Sequence, residues 1–383
     1  MSQTGPLSPA DFSILWQIKS VLWRLARCGR ERRQAVKLAI AGDIFLGGDL
    51  LEPPGEAAGP ATARLKSWQE ADCRIANLEH PISDSAQLTG MLHAPLWSVG
   101  HLREMQVNAV SLANNHSLDM GAEGLADTIA ILKRNGIATF GAGRNRIAAR
   151  APCPLSEDLC VFGYCNYGRP GWRRIKVATD DSAGVAPLDE AVILEDLEAL
   201  PGHSKAILFF HWGLENSGIA TPRDRRLARR LLGHSRVAMI VGSHAHRYQG
   251  SFNRFGKPAF PGLGNFLVPN FHLLPGPRLA RRPENSAGVP RTRTFHNPDR
   301  LTYIQWPRAA RRSGFVVYDI AREQARCILV EQDDKVPLLR KPGRLARLAN
   351  RLRGAVLRGL YALPDILYRW LAGSSRRGVE KND

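Results

Sequence analysis

The 383-residue sequence is poor in acidic residues, in lysine and in regularly spaced cysteines. Only 35 Asp and Glu oppose 53 Lys and Arg, which leaves a formal net charge of +18 carried mostly by arginine. Such an excess favours nucleic acid, an anionic membrane surface or an acidic polymer as partner. A genome with arginine-rich codon usage would produce the same bias, so charge alone does not identify the partner.

The six cysteines form no C-x-x-C pair and have no regular spacing, so nothing indicates a disulfide framework or a cysteine-based zinc site, and we expect a reducing compartment. The N-terminal apolar stretch, residues 12–26, is interrupted by Gln17, Lys19 and Arg24 and is followed by no cleavage site of a signal peptide. No run approaches the roughly 20 apolar residues of a transmembrane helix. We therefore expect a cytoplasmic protein. Peripheral attachment at the inner face of the membrane is compatible with this expectation.

Composition divides the chain into three parts. Residues 1–34 and 336–383 are basic amphipathic extensions, and residues 35–335 form the main domain. Apolar residues recur at helical spacing at 12–27 and again from Leu345 to Leu363. Such helices either pack on the protein's own core or lie on an anionic bilayer. Because no recognised nucleic-acid-binding module accompanies the charge, a specific nucleic-acid partner is not expected.

Residues 269–313 are rich in Pro and Arg and show little periodicity. A long stretch of this kind within a compact domain is typical of a functional loop or a disordered insertion. An anionic substrate could be held by the arginines of the Arg278–Arg282 stretch in this region and by Arg169, Arg173 and Arg174 before it. The guanidinium group donates two parallel hydrogen bonds to a carboxylate or phosphate. A solvated basic surface is the alternative.

The main domain alternates strand-like and helix-like segments, which is the pattern of an α/β fold. Five strand-like runs, at 36–41, 73–76, 109–113, 205–210 and 237–241, are each followed by Asp, Glu, Asn or His. The carboxyl ends of strands in an open α/β sheet border a common crevice, so these side chains can converge. They are Asp43, Glu79, Asn115, His116, His211, His244 and His246.

Each of these residues has an ordinary structural interpretation when taken alone. Asp43 and Glu79 could be helix caps or surface acids, and Asn115 could be an N-cap. A histidine after a buried strand is commonly a hydrogen-bonded residue at the edge of the core, and two histidines at i and i+2 are weak evidence. Their joint occurrence favours a site, since carboxylate, amide and imidazole donors suit two divalent cations without any thiolate.

The sequence resembles the poly-γ-glutamate capsule biosynthesis (CapA-type) family, a branch of the calcineurin-like metallophosphoesterases. The resemblance depends on GDIFLGG (42–48), NLEHPI (77–82), SLANNHSLDMGAEGLADT (111–128), GAG (141–143), FHWGLE (210–215), VGSHAH (241–246) and GLGNF (262–266). It implies a four-layer α/β/β/α sandwich. It also implies a metal-dependent hydrolase, or a related transferase, that acts on a phosphoester or on a linkage of an acidic polymer. A non-catalytic assembly or export factor for capsule polymer is the alternative.

Specific roles follow from the same resemblance. The ligands of two divalent ions (Mn, Fe, Zn or Mg) would be Asp43, Glu79, Asn115, His211, His244 and His246, with Glu79 as the bridging carboxylate. His116 would be a general acid, and Asp119 would either orient it or cap a helix. Asn77 and Asn265 would support the ligands or contact substrate. The first motif departs from the wider superfamily, because Phe45 stands where Asp-x-His would place a histidine.

Overall fold

The computed structural model describes residues 36–51, 60–84, 92–166, 175–274, 278–280, 289, 291–292, 299–334 and 338–376. The amphipathic segment predicted at 12–27 and the arginines Arg169, Arg173 and Arg174 lie outside these residues, as do Arg281 and Arg282. Over the described ranges the chain has a mixed α/β fold with two large sheets, two small ones and helices.

The first sheet has eight strands. They are β1 (Lys37–Ile44), β2 (Cys73–Leu78), β3 (Ala109–Ser111), β4 (Ala138–Phe140), β13 (Asn265–Leu267), β18 (Arg312–Asp319), β19 (Gln324–Gln332) and β20 (Leu339–Arg340). In the order β20-β19-β18-β1-β2-β3-β4, the strands from β1 to β4 run parallel, and β13 pairs with the end of β1. Leu38 to Ala41 are fully buried because both faces of β1 are covered, which explains its continuous apolar run.

The second sheet has six strands. They are β6 (Cys153–Pro154), β7 (Leu159–Cys165), β9 (Lys205–His211), β10 (Val237–Ser243), β11 (Phe252–Arg254) and β12 (Lys257–Phe260), in the order β11-β12-β10-β9-β7-β6. The central strands β7, β9 and β10 are parallel, and Cys165, His211 and Ser243 lie side by side at their carboxyl ends. This edge of the sheet therefore presents His211 beside the turn that follows β10.

The two sheets pack face to face. Ile40 and Ile75 of the first sheet share a buried cluster with Phe209 and Met239 of the second. The helices are α1 (Lys66–Gln69), α2 (Val99–Glu104), α3 (Gly121–Arg134), α4 (Arg146–Arg150), α5 (Glu190–Glu198), α6 (Pro222–Leu231), α7 (Arg344–Ala362) and α8 (Asp365–Arg376). The first three contribute to the cluster on the outer face of the first sheet, and α4 to α8 to the cluster on the outer face of the second. The layer order is helices, sheet, sheet, helices.

All five predicted runs are strands, but none ends at the predicted residue, and in two cases the difference concerns a candidate ligand. Asp43 lies inside β1 and His211 is the last residue of β9, whereas the sequence pattern placed both after their strands. The reason is that pairing continues to these positions: Asp43 is in register with Asn265, and His211 with Ser243. Helix α3 buries Leu125 and Leu132, which stand at helical spacing in the sequence.

The expectation of a loop or disordered insertion at about 269–313 is wrong for its described part. Strands β14 (Phe271–Leu274), β15 (Arg278–Ala280), β16 (Arg291–Thr292) and β17 (Thr302–Ile304) form a four-stranded sheet, and β18 already begins at Arg312. Phe271, Leu273 and Ile304 pack with Phe45 in a separate apolar cluster. This local core stabilises a small sheet whose strands, of two to four residues each, are too short to show a period in the sequence. A further two-stranded ladder joins β5 (Ala142–Gly143) to β8 (Gly184–Val185).

The C-terminal segment is partly integrated into the domain, since β20 extends the first sheet and two helices follow it. The Tyr361 hydroxyl accepts a hydrogen bond from the Ala220 amide and donates to the Gln249 carbonyl. The buried Arg225 guanidinium donates to the Tyr361 and Leu363 carbonyls and pairs with Asp365. The predicted stripe is thus divided: Leu360 and Leu363 pack on the core, while its first four members are exposed. No helix among the described residues is long and apolar enough to cross a membrane.

Candidate metal centre

The carboxyl ends of strands from both sheets bring five of the predicted ligands together. Glu79, His211 and His244 form one group, and Asp43, Glu79 and His246 form another. Within each group the ligand atoms all lie within 4.8 Å of one another. Glu79 belongs to both groups, which is the arrangement expected of a carboxylate between two cations.

Glu79 is the residue that best tests whether these groups fit a metal. Its Oε1 atom is buried with no hydrogen-bond partner, 3.6 Å from His211 Nε2 and 3.9 Å from His246 Nε2. Burial, with the nearby negative charges of Asp43 and Glu215, raises the pKa of Glu79 well above its usual range. A buried carboxylate without a partner is costly, and a bound cation would reverse that cost. The residues present therefore fit a divalent ion.

The histidines are in the form that metals require. Burial, and then the neighbouring imidazoles, lower the pKa values of His211 and His244 well below the usual value, so both rings are neutral. His211 Nδ1 lies 2.8 Å from the Ser243 hydroxyl, and its Nε2 lies 2.7 Å from the Asn115 amide oxygen. These contacts orient the His211 ring and place Asn115 beside the first group.

The turn after β10 has a strained backbone. His244 and His246 adopt φ values of 80° and 52°, in the left-handed region that side chains other than glycine and asparagine seldom occupy. After this turn the His244 imidazole lies in the first group and the His246 imidazole in the second, and both groups share Glu79. The His244 amide also donates to Asp43 Oδ2 at 3.2 Å. Strain of this kind concentrates at functional sites.

Two asparagines hold the second group in place. The Asn77 amide donates to Asp43 Oδ1 at 2.8 Å, and Asn265 Oδ1 lies 2.7 Å from His246 Nδ1. The segment that carries Asn265 approaches β1 so closely that a Cβ atom at Gly42 would lie 2.1 Å from the Gly264 carbonyl oxygen. Glycine at position 42 is therefore needed for Asn265 to reach the site.

His116 and Asp119 form a pair outside the two groups. His116 Nδ1 lies 2.8 Å from Asp119 Oδ2, which also accepts a hydrogen bond from the Leu92 amide at 2.7 Å. Burial alone would lower the pKa of His116, but the charge and hydrogen bond of Asp119 raise it above the usual value. Helix α3 begins after Met120 with no side-chain cap, so Asp119 serves the imidazole and not the helix.

Several residues near the centre were not predicted from the sequence. The Trp306 ring lies 5.0 Å from the His246 ring, measured between centroids, although Trp306 comes from the segment predicted to be irregular. Glu215 contributes negative charge at Glu79 and His116, and Ser243 fixes His211. Glu215 belongs to the motif FHWGLE (210–215) and Ser243 to VGSHAH (241–246), so their motifs could have indicated both. Nothing in the sequence pointed to Trp306. Phe45 is buried against the His80 ring, so the position of the missing histidine is apolar.

Comparison with known proteins places these observations in a family. The family described as bacterial capsule synthesis protein PGA_cap matches residues 37–270, which include every predicted ligand. The PGA biosynthesis protein CapA of Bacillus subtilis (strain 168) is 26% identical over 210 residues, covering 52% of this chain and 54% of that protein. A probable polyglutamine synthesis accessory protein of Mycobacterium tuberculosis is 32% identical over 228 residues, covering 55% of this chain and 58% of that protein.

Capsule biosynthesis protein CapA of Bacillus anthracis is 25% identical over 252 residues, covering 61% of this chain and 60% of that protein. The chain thus spans between about half and three fifths of the length of these relatives. A crystal structure of a Thermus thermophilus protein aligns with a TM-score of 0.32 at 9% identity, over 77% of this chain and 98% of that one, which is too low to assign a fold. The family match alone covers more than half of the sequence, and the chain belongs to the PGA_cap family of bacterial capsule synthesis proteins.

Proposed function

We propose that the protein is a metal-dependent hydrolase of the phosphoesterase type, acting in the synthesis or attachment of poly-γ-glutamate or another capsule polymer. The observation that supports it is Glu79, shared between two potential ligand groups with a buried, unpaired oxygen. The calcineurin-like metallophosphoesterase sandwich is part of the proposal, and the layer order of helices, sheet, sheet, helices supports it. Two bound divalent ions would supply a hydroxide nucleophile near neutral pH and stabilise negative charge on the attacked group.

The protein's own residues have separate tasks in this proposal. The Asp119 carboxylate accepts a hydrogen bond from Nδ1 of His116, which leaves Nε2 to give a proton to a leaving oxygen. Asn77 and Asn265 hold Asp43 and His246 in position. The Trp306 ring covers His246 on the side of the small sheet and limits access of water there.

The direct test is to purify the protein, measure its bound metals, and assay aryl phosphoesters and γ-linked glutamate oligomers with added Mn²⁺. Hydrolysis that is lost on replacing His116 by Ala, with metal content unchanged, is the expected result. Metal binding without hydrolysis of any of these substrates contradicts the catalytic proposal.

A non-catalytic accessory role is the second candidate. The name of the Mycobacterium tuberculosis relative describes an accessory protein. Phe45 also stands where the wider metallophosphoesterase superfamily has a histidine, which favours a metal centre that differs in reactivity from those enzymes. His116→Ala separates the two candidates in cells that make the polymer. Polymer output collapses if the chemistry is needed and persists if the protein only assists assembly.

We also propose that helix α7 rests on an anionic membrane surface. Leu345, Leu348, Leu352 and Val356 are 55–84% exposed and share one face of α7. The helix contains five arginines and no acidic residue, which is the composition of a helix that binds anionic lipid. Replacing Leu348 and Leu352 by Ser should abolish co-sedimentation with phosphatidylglycerol vesicles, with Leu194→Ser, an exposed residue of α5, as the control. Equal binding by both variants contradicts this assignment.

A further inference from the structure

A cavity of about 440 Å³ opens next to the carboxyl end of β9, the strand that ends at His211, and has no role in the function proposed above. It begins one residue beyond His211: Trp212 lines it, and Asn166, which also lines it, donates its backbone amide to the His211 carbonyl at 3.1 Å. The cavity therefore lies at the same edge of the second sheet as the candidate ligand His211.

Arginines dominate the charge of this cavity. Arg223 and Arg226 come from the first turns of α6, and Arg369 comes from α8, against one carboxylate, that of Asp224. The Asp224 carboxylate already accepts a hydrogen bond from the Thr221 hydroxyl. The lining thus carries a net positive charge, which attracts anions.

The arginines of α6 divide into two kinds. Arg225 is buried and bonded to the Tyr361 and Leu363 carbonyls, and Arg230 pairs with Glu190 at 2.7 Å. Arg223 and Arg226, in contrast, have no hydrogen bond or ion pair with any residue in the described part of the chain, and the Nη1 atom of Arg226 is buried. A buried guanidinium nitrogen without an acceptor is uncommon, because removing it from water is costly unless a partner replaces the water.

We infer that this cavity is an oxyanion subsite that holds a carboxylate or phosphate group of an anionic chain through Arg226, Arg223 and Arg369. The planar guanidinium group suits both oxyanions because it donates two parallel hydrogen bonds to either one. The contribution of α8 matters, since this helix lies beyond residues 37–270, where the family match ends. The C-terminal helices thereby complete a binding site in addition to covering the core. Only the expectation that the anion belongs to a capsule polymer rests on the proposed function.

The test measures binding without metal, so that it stands apart from hydrolysis. A fluorescein-labelled γ-linked glutamate decamer and, in a second arm, tripolyphosphate as competitor are titrated against the full-length chain in chelator at low ionic strength. Arg226→Gln is compared with Arg230→Gln as a control. The control removes one positive charge from the same helix, but its arginine forms a surface ion pair with Glu190 and does not line the cavity. We expect Arg226→Gln to weaken binding about tenfold or more, as for loss of a charged hydrogen bond, and Arg230→Gln to weaken it less than about twofold.

The two arms distinguish the sources of the oxyanion. Weaker binding of the glutamate decamer by Arg226→Gln assigns the cavity to carboxylates, and an effect on tripolyphosphate alone assigns it to phosphates. Equal losses in both variants would show a general effect of net charge and overturn the inference, as would unchanged binding by Arg226→Gln. Arg369→Gln should reproduce a smaller loss, and near-ultraviolet circular dichroism verifies that each variant is folded.

Discussion

Two of the buried polar clusters in the described part of the protein differ in how their charges are balanced. In the first, the Asp196 carboxylate lies between α5 and β7 and accepts hydrogen bonds from Arg150 Nε at 2.9 Å and the Tyr164 hydroxyl at 2.8 Å. In the second, Glu79 keeps an unpaired buried oxygen next to two neutral histidines. Both clusters bury acids, but only the first neutralises them with its own side chains. A fully partnered cluster stabilises the fold, whereas an open one requires a ligand from outside.

The backbone reinforces this difference. His244 and His246 hold positive φ values at the second cluster, whereas Asp196 lies within a regular helix. Strain and an unpaired charge occur together only where the surrounding structure holds them in place. The comparison predicts that changes at Glu79 alter metal binding with little loss of stability, and that changes at Asp196 do the opposite.

Replacing Glu79 by Gln is expected to have the largest effect, because Glu79 belongs to both ligand groups. Affinity for Mn²⁺ should fall by more than the roughly 100-fold that loss of an outer partner of a ligand can cost. Without metal, the variant should melt at the same or a higher temperature, since a buried carboxyl group with an unpartnered Oε1 is replaced by an amide of the same shape that cannot ionise. Equilibrium dialysis and thermal melts in chelator measure the two effects. Unchanged Mn²⁺ affinity would show that Glu79 is not a ligand.

Replacing Asp196 by Ala tests the partnered cluster. Loss of the carboxylate removes the acceptor of Tyr164 and one partner of the Arg150 guanidinium, which keeps Glu195 at 3.0 Å. We expect the free energy of unfolding to fall by about 3 kcal/mol, as for a broken buried ion pair, with metal affinity unchanged. Urea denaturation measures the first quantity and dialysis the second. A stability equal to that of the wild type would show that the Asp196 cluster does not stabilise the fold.

The pH dependence of stability gives a finer distinction. Burial raises the pKa of Asp196 from 3.8 to about 6, against the opposing effects of Arg150 and Tyr164. Because the folded-state pKa is the higher one, the protonated Asp196 carboxyl group contributes to the free energy of unfolding below about pH 4. This contribution is lost as the pH rises through about 6. The shift corresponds to about 3 kcal/mol. Asp196→Asn should flatten the stability curve of the metal-free protein between about pH 4 and 6.5, as read from urea midpoints; parallel curves would contradict this assignment.

Replacing Ser243 by Ala should have the smallest effect. The Ser243 hydroxyl lies 2.8 Å from His211 Nδ1 and fixes the ring, so its loss should weaken Mn²⁺ binding about tenfold. The matched control is Ser182→Ala, which removes an exposed hydroxyl bonded to Thr179. Equal affinities in the two variants would show that the Ser243 hydroxyl is not needed to fix the His211 ring.

The candidate site was predictable from the sequence because parallel strands end at common edges. Asp43, Glu79, His211, His244 and His246 each follow or end an apolar run, and apolar runs of strand length can be read locally. The apolar spacing of α3 is a local signal of the same kind, and Gly136, with its positive φ, follows the end of the helix. Pairing of Asp43 with Asn265 could not be read in this way, since it depends on a contact between residues far apart in the chain.

The sequence by itself determined the candidate donor set, the positions of the main strands along the chain and the family to which the motifs belong. Only the tertiary structure decided that Asp43 pairs with Asn265, that Trp306 reaches His246, and that α8 contributes Arg369 to a cavity. The physical reason is the range of the interactions. Hydrophobic periodicity and strand ends are local properties of the chain, whereas the distance between two charges depends on how the two sheets pack, which no single segment encodes.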